Sequence, residues 1–79
     1  MSGPGQYIRN SDHAPALKRT LDPPIAVIAR IDWAQDGPEV INTVALAWSG
    51  RMVQVVMIDD RHNGPTVWIP ASDVKRRKP

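Results

Sequence analysis

Ile25-Ala26-Val27-Ile28-Ala29-Arg30-Ile31-Asp32-Trp33 alternates from end to end. Ile25, Val27, Ala29, Ile31 and Trp33 fall on one side, and Ala26, Ile28, Arg30 and Asp32 on the other. Period two marks a strand with one face against a core. Gln35-Asp36-Gly37-Pro38 breaks the pattern. Val40, Val44, Leu46 and Trp48 then share one face of a second strand. Ser49-Gly50 between apolar runs signals a two-residue hairpin turn. The run from Met52 to Ile58 is apolar on both faces and reads as a third strand. Asp59-Asp60-Arg61-His62-Asn63-Gly64-Pro65 is a turn cluster. Thr66 to Ile69 makes a fourth strand, which Pro70 ends. Ala71-Ser72-Asp73 suits one 3₁₀ turn, and Val74-Lys75-Arg76 a short fifth strand. Five short strands without a long helix predict an all-β fold, a five-stranded small barrel over residues 25–77. Its predicted core is Val27, Ala29, Ile31, Val44, Leu46, Val53, Val55, Val67, Ile69 and Val74. Met52, Val56 and Ile58 fall on the outer face. There they would make a homodimer seam or a bed for the N-terminal arm.

Outward from this unit the chain changes character. Residues 1–24 have no sustained apolar period, and Gly3-Pro4-Gly5, Asn10-Ser11-Asp12, Pro15 and Pro23-Pro24 interrupt them. They read as a flexible N-terminal arm, with pinning across the barrel by Tyr7, Ile8 or Leu17 as the alternative. Residues 78–79 end a basic C-terminal tail. With 79 residues the chain has room for one domain. The absence of cysteine excludes a disulfide scaffold and a thiolate metal site. No run approaches the roughly 20 apolar residues of a membrane-spanning helix. Met1-Ser2-Gly3-Pro4-Gly5 lacks the basic and apolar regions of a signal peptide, so a cytoplasmic location is expected.

The net charge of +2 conceals a division along the chain. The barrel holds Asp32, Asp36, Glu39, Asp59, Asp60 and Asp73 against Arg30, Arg51 and Arg61, and is acidic. Lys75, Arg76, Arg77 and Lys78 follow it as four consecutive cations. Attraction for phosphate is therefore expected in the tail, with a smaller share from the arm.

Ala29-Arg30-Ile31-Asp32-Trp33 and Ile69-Pro70-Ala71-Ser72-Asp73-Val74 resemble the opening and closing segments of SH3 domains. The order of strand, acidic loop, three-stranded meander, 3₁₀ turn and last strand is also that family's. The resemblance implies an SH3-like barrel and a shelf for a Pro-containing or basic partner. Trp33 and Pro70 match shelf positions, and Asp36 and Glu39 fall in the acidic loop. Asp73 stands where the family has a tyrosine, and Met52-Val53-Gln54-Val55 where it has its ligand-gripping tryptophan. Trp48-Ser49-Gly50-Arg51 and Trp68-Ile69-Pro70 resemble, in turn, the C-terminal domain of retroviral integrases. That domain is also an SH3-like barrel, and it binds DNA without strong sequence preference. Met52 replaces its second glycine, and Asp73 stands where it often has a cation.

Catalytic signatures are missing from the sequence. There is no Ser/His/Asp arrangement with supporting motifs, no phosphate loop and no dinucleotide fingerprint. Asp32, Asp36 and Glu39, and Asp59-Asp60 with His62, carry metal-ligand chemistry, but they read as polar loop residues. No cofactor or metal is expected, and the protein reads as a non-enzymatic binding module. Its first expected function is weak, sequence-nonspecific nucleic-acid binding. Arg51, Lys75, Arg76, Arg77 and Lys78 would meet phosphates and Trp68, opposite in phase to Val67 and Ile69, would stack on bases. Arg30 and Arg61 are further candidates for phosphate contact. The second is a protein-interaction module, an accessory regulator of phage or mobile-element type, presenting Trp33, Asp36, Glu39, Trp68 and Pro70. Trp48, just before the hairpin turn, is expected to pack.

Overall fold

The computed structural model describes residues 6–78. Five strands make one antiparallel sheet: β1 (Arg19–Trp33), β2 (Gly37–Ser49), β3 (Met52–Val56), β4 (Thr66–Pro70) and β5 (Val74–Arg76). A 3₁₀ turn at Ala71–Asp73 precedes β5. The spatial order is β4-β3-β2-β1-β5. The edges β4 and β5 do not pair with each other, so the sheet stays open. No helix among the described residues is long and apolar enough to cross a membrane.

The alternation that begins at Ile25 holds through Trp33. Val27, Ala29, Ile31 and Trp33 are buried, and they join Val55, Val67 and Ile69 in one apolar cluster. Val53 and Val74 pack at its margin. The β1–β2 hairpin turns at 34–36, with Gly37 opposite Trp33 at a φ of 81° that favours glycine. The second hairpin turn is Gly50-Arg51, one residue later than Ser49-Gly50, because Ser49 still pairs with Met52. Gly50 takes a φ of 56° there.

Two predicted core residues, Val44 and Leu46, do not enter the core. Ala45 and Ala47 are buried instead. Val44 lies on the face opposite Ile41 and Ala45, which pack in or against the core, and Leu46 sits in a bulge of β2 that places Ala47 on the other face. Ala45 lies opposite Val55, whereas Ala47 lies opposite Gln54, so Leu46 is the extra residue. The β1 side is irregular at the same level, where Leu21 to Pro24 loop out between the pairs Thr20–Ala47 and Ile25–Ala45. Prolines are tolerated in a strand at such a break because no ladder hydrogen bond is asked of them. The boundary expected at residue 24 therefore falls inside β1, which resumes pairing as far back as Arg19.

Residues 1–5 of the expected arm lie outside the described residues. Residues 6–12 run between β1 and β4 and hydrogen-bond to both. Arg9 N–H donates to Asp32 O at 2.7 Å, Ala34 N–H to Tyr7 O at 2.8 Å, and Asp12 N–H to Trp68 O at 3.0 Å. Ile8 is buried at 3% exposure within the core cluster, whereas Tyr7 and Leu17 are exposed. Asn10 ties the arm down further. Its amide donates to Arg30 O and Asp73 Oδ2, and its Oδ1 accepts from Asp32 N–H. The expected outer patch of Met52, Val56 and Ile58 is divided. Met52 and Val56 are half-buried, and Ile58 is exposed beyond the end of β3.

Candidate nucleic-acid interface

The chain's three tryptophans have three different fates. Trp33 closes the core at the far end of β1 and is fully buried. Its indole N–H donates to Glu39 Oε1 at 2.9 Å. The Arg61 guanidinium lies over its ring, 4.0 Å from the centroid. Trp68 does face away from Val67 and Ile69, as its phase requires, but it is only 5% exposed. It shares a cross-strand row with Gln54 and Ala47, and the arm pairs with β4 at this residue. The expectation of an outward Trp68 is corrected: the outer face of β4 is covered. Trp48 is the exposed indole, at 40%. The bulge at Leu46 sets it in a row with Arg19 and Val53.

The acidic loop closes on itself. Arg61 donates to Asp36 at 3.0 Å, to Glu39 at 2.8 Å and to Asp59 at 2.8 Å. Hydrogen bonds from the Arg61 side chain and backbone hold the Asp59 carboxyl far below its usual range. The same contacts, with Asp59 first, raise Arg61 further. This arginine is committed to three carboxylates and an indole and is not free for phosphate. Arg30 is likewise near a carboxylate, 3.9 Å from Asp73. Among the described residues no group of three His, Asp or Glu is placed to hold a metal ion. Trp33 and Trp68 are buried, so the shelf of Trp33, Asp36, Glu39, Trp68 and Pro70 offers no exposed ring.

The Asp59–Arg61 pair has a pH consequence. A carboxylate whose folded pKa is depressed contributes stability that is complete above its unfolded pKa. That stability is lost as pH falls through the folded value. The wild type will therefore lose thermal stability on acidification below about pH 5. In Arg61→Gln, Asp36, Glu39 and Asp59 face one another without a cation. That variant will melt lower at neutral pH and show a flatter or inverted slope over the same acid range. Melting curves at several pH values check this, and parallel slopes in the two proteins would refute it.

The other cations are differently placed. Lys18, Arg19, Arg51, Arg76, Arg77 and Lys78 have no carboxylate within salt-bridge distance among the described residues. Arg19 lies opposite Trp48, its guanidinium 5.7 Å from the ring centroid, inside the range of cation–π attraction. Lys18 and Arg19 line a hollow with Trp48 and Gly50. Arg76 and Trp48 line an adjoining groove. Arg51 O accepts from Ala71 N–H at 2.6 Å, which sets the hairpin turn beside the 3₁₀ turn. The predicted cationic tail is divided. Val74 and Arg76 face the groove, Lys75 faces a hollow beside Ile28 and Arg30 on the other side, and Arg77 N–H donates to Ala26 O. Lys78 follows the strand and is exposed.

No known protein family, curated protein or solved structure matches this chain.

The sequence did not single out Lys18, Arg19 and Trp48 as a group. Their signal is Arg19 and Trp48 in register across two strands, and the looped-out segment from Leu21 to Pro24 hides that register from any count along the chain.

Proposed function

We propose that this protein binds nucleic acid without sequence preference through the face around Trp48. One observation carries the reading: the one exposed indole lies among cations that have no carboxylate partner among the described residues, while Asp36, Glu39 and Asp59 are gathered on Arg61 at the other end of β1. Lys18, Arg19, Arg51 and Arg76 supply sequence-independent phosphate contacts, and Arg77 and Lys78 add to the field. Neither the hollow nor the groove beside Trp48 has a carboxylate in its lining, and Asp22, next to Leu21, is the acidic residue nearby in the chain.

Fluorescence anisotropy of labelled oligonucleotides tests this. Four phosphate contacts on a single strand predict a slope of log affinity against log salt of about −3. Affinity would then fall roughly 50-fold between about 50 and 200 mM salt. Replacing Lys18, Arg19, Arg51 and Arg76 together by glutamine will abolish most of that slope. Substitution is the right instrument, since shortening the chain after Val74 removes most of β5, which pairs with Val27 to Ala29. No binding at low salt, or unchanged binding by the four-fold variant, would refute the proposal.

A further inference from the structure

Building on the nucleic-acid reading, we infer that the groove between Trp48 and Arg76 receives an unpaired base, so that the ligand is single-stranded. The groove encloses about 320 Å³. Its walls are apolar: Leu21, Ile25, Val53 and Val74 contribute side chains between the indole and the guanidinium. It exists because the sheet is open. β1 breaks at Leu21 to Pro24 and β5 pairs only with Val27 to Ala29, which leaves the core face accessible beside Trp48.

The chemistry of the walls selects the ligand. Phosphate alone gains nothing from Leu21, Ile25, Val53 and Val74. A duplex shows its phosphates and keeps its base faces stacked, so it cannot fill an apolar groove without unstacking. An unpaired base has a free π-face to lay on Trp48, where stacking is tolerant of base identity. Lys18 and Arg19 line the adjoining hollow and Arg76 lines the groove itself, so a base laid on Trp48 has cations near its flanking phosphates. Two other hollows include a carboxylate, Asp73 beside Ile28 and Asp59 beside Thr43. The Trp48 groove and its neighbour have none in their linings, which suits a polyanion.

The test uses the full chain with four probes: short oligo(dT), oligo(rU), a duplex of equal length, and an abasic strand with the same backbone charge. Trp33 and Trp68 are buried, so quenching of intrinsic fluorescence reads Trp48. Oligo(dT) or oligo(rU) should quench it and bind at least about 5-fold more tightly than the duplex or the abasic strand. Either sugar satisfies the inference, and the tighter of the two identifies the source. Trp48→Ala should lower affinity for the base-bearing strand by about 5- to 150-fold and lower it much less for the abasic strand. Trp48→Phe, which keeps a stacking ring, should retain most of the preference and serves if the alanine variant does not fold. Equal binding of all probes without quenching would overturn the base site while leaving the phosphate-directed reading intact. Binding of none would remove both.

Discussion

Trp33→Ala will lower the folding stability by about 3–5 kcal/mol, a large share of the total. The indole is fully buried, so the substitution removes its transfer free energy and leaves a cavity. Such changes cost about 3–5 kcal/mol. A domain of this length has about 4–12 kcal/mol in total. The loss is compounded locally, because Glu39 loses its indole donor and Arg61 the ring it stacks on. Trp33→Phe keeps most of the apolar volume and loses the hydrogen bond, so it should fall well short of the alanine variant. Chemical denaturation of the three proteins gives the ranking. A Trp33→Ala protein within about 1 kcal/mol of wild type would mean that the far end of β1 is not part of the cooperative core.

Ile8→Ala is the second large effect. Ile8 stands far from the sheet in sequence yet is buried among its core residues. Truncation of a buried isoleucine costs about 2–5 kcal/mol. The arm has no extended apolar face to hold it if this side chain is lost. Backbone hydrogen bonds and Asn10 would then carry the attachment alone. Hydrogen exchange should therefore show selective loss of protection at the amides of Arg9, Asp12 and Ala34, which bridge the arm to β1 and β4. The amides of β2 and β3 would keep their relative ranking. A uniform loss across the sheet would mean that the arm and sheet open only together.

The contrast between these two positions explains what the sequence could say. Trp33 sits in a run whose period-two pattern is unbroken from Ile25, so its burial is readable by counting. The turns at 34–36 and 50–51 and the 3₁₀ turn at Ala71–Asp73 are marked by residues that local geometry requires. Ile8 belongs to no pattern, because the arm is held by main-chain pairing and one anchor. Period arguments see faces, and the arm has none. Val44 and Leu46 mislead for a different reason: Val44 falls on the face opposite Ile41 and Ala45, and Leu46 sits in a bulge that changes the phase of β2 before Trp48. For Trp68 the phase itself is right, but the ring is buried on that side, where the arm pairs with β4. Of the candidate phosphate contacts, Arg76 lines the Trp48 groove and Arg51 stands in the adjacent hairpin turn, while Lys75 points to the other side of β5. Arg61 is spent on carboxylates that the sequence offers only as a diffuse acidic loop.

Leu46 also bears on how such a surface can change over generations. Removing that one residue would close the bulge and leave Ala47 opposite Gln54 and Trp48 opposite Val53. The groove would keep its ring. A frame-preserving deletion of this single codon would therefore be borne more easily than the loss of a paired residue elsewhere in β2, which would turn Trp48 to the other side. Relatives that lack a residue at this spot should still hold the same ligand.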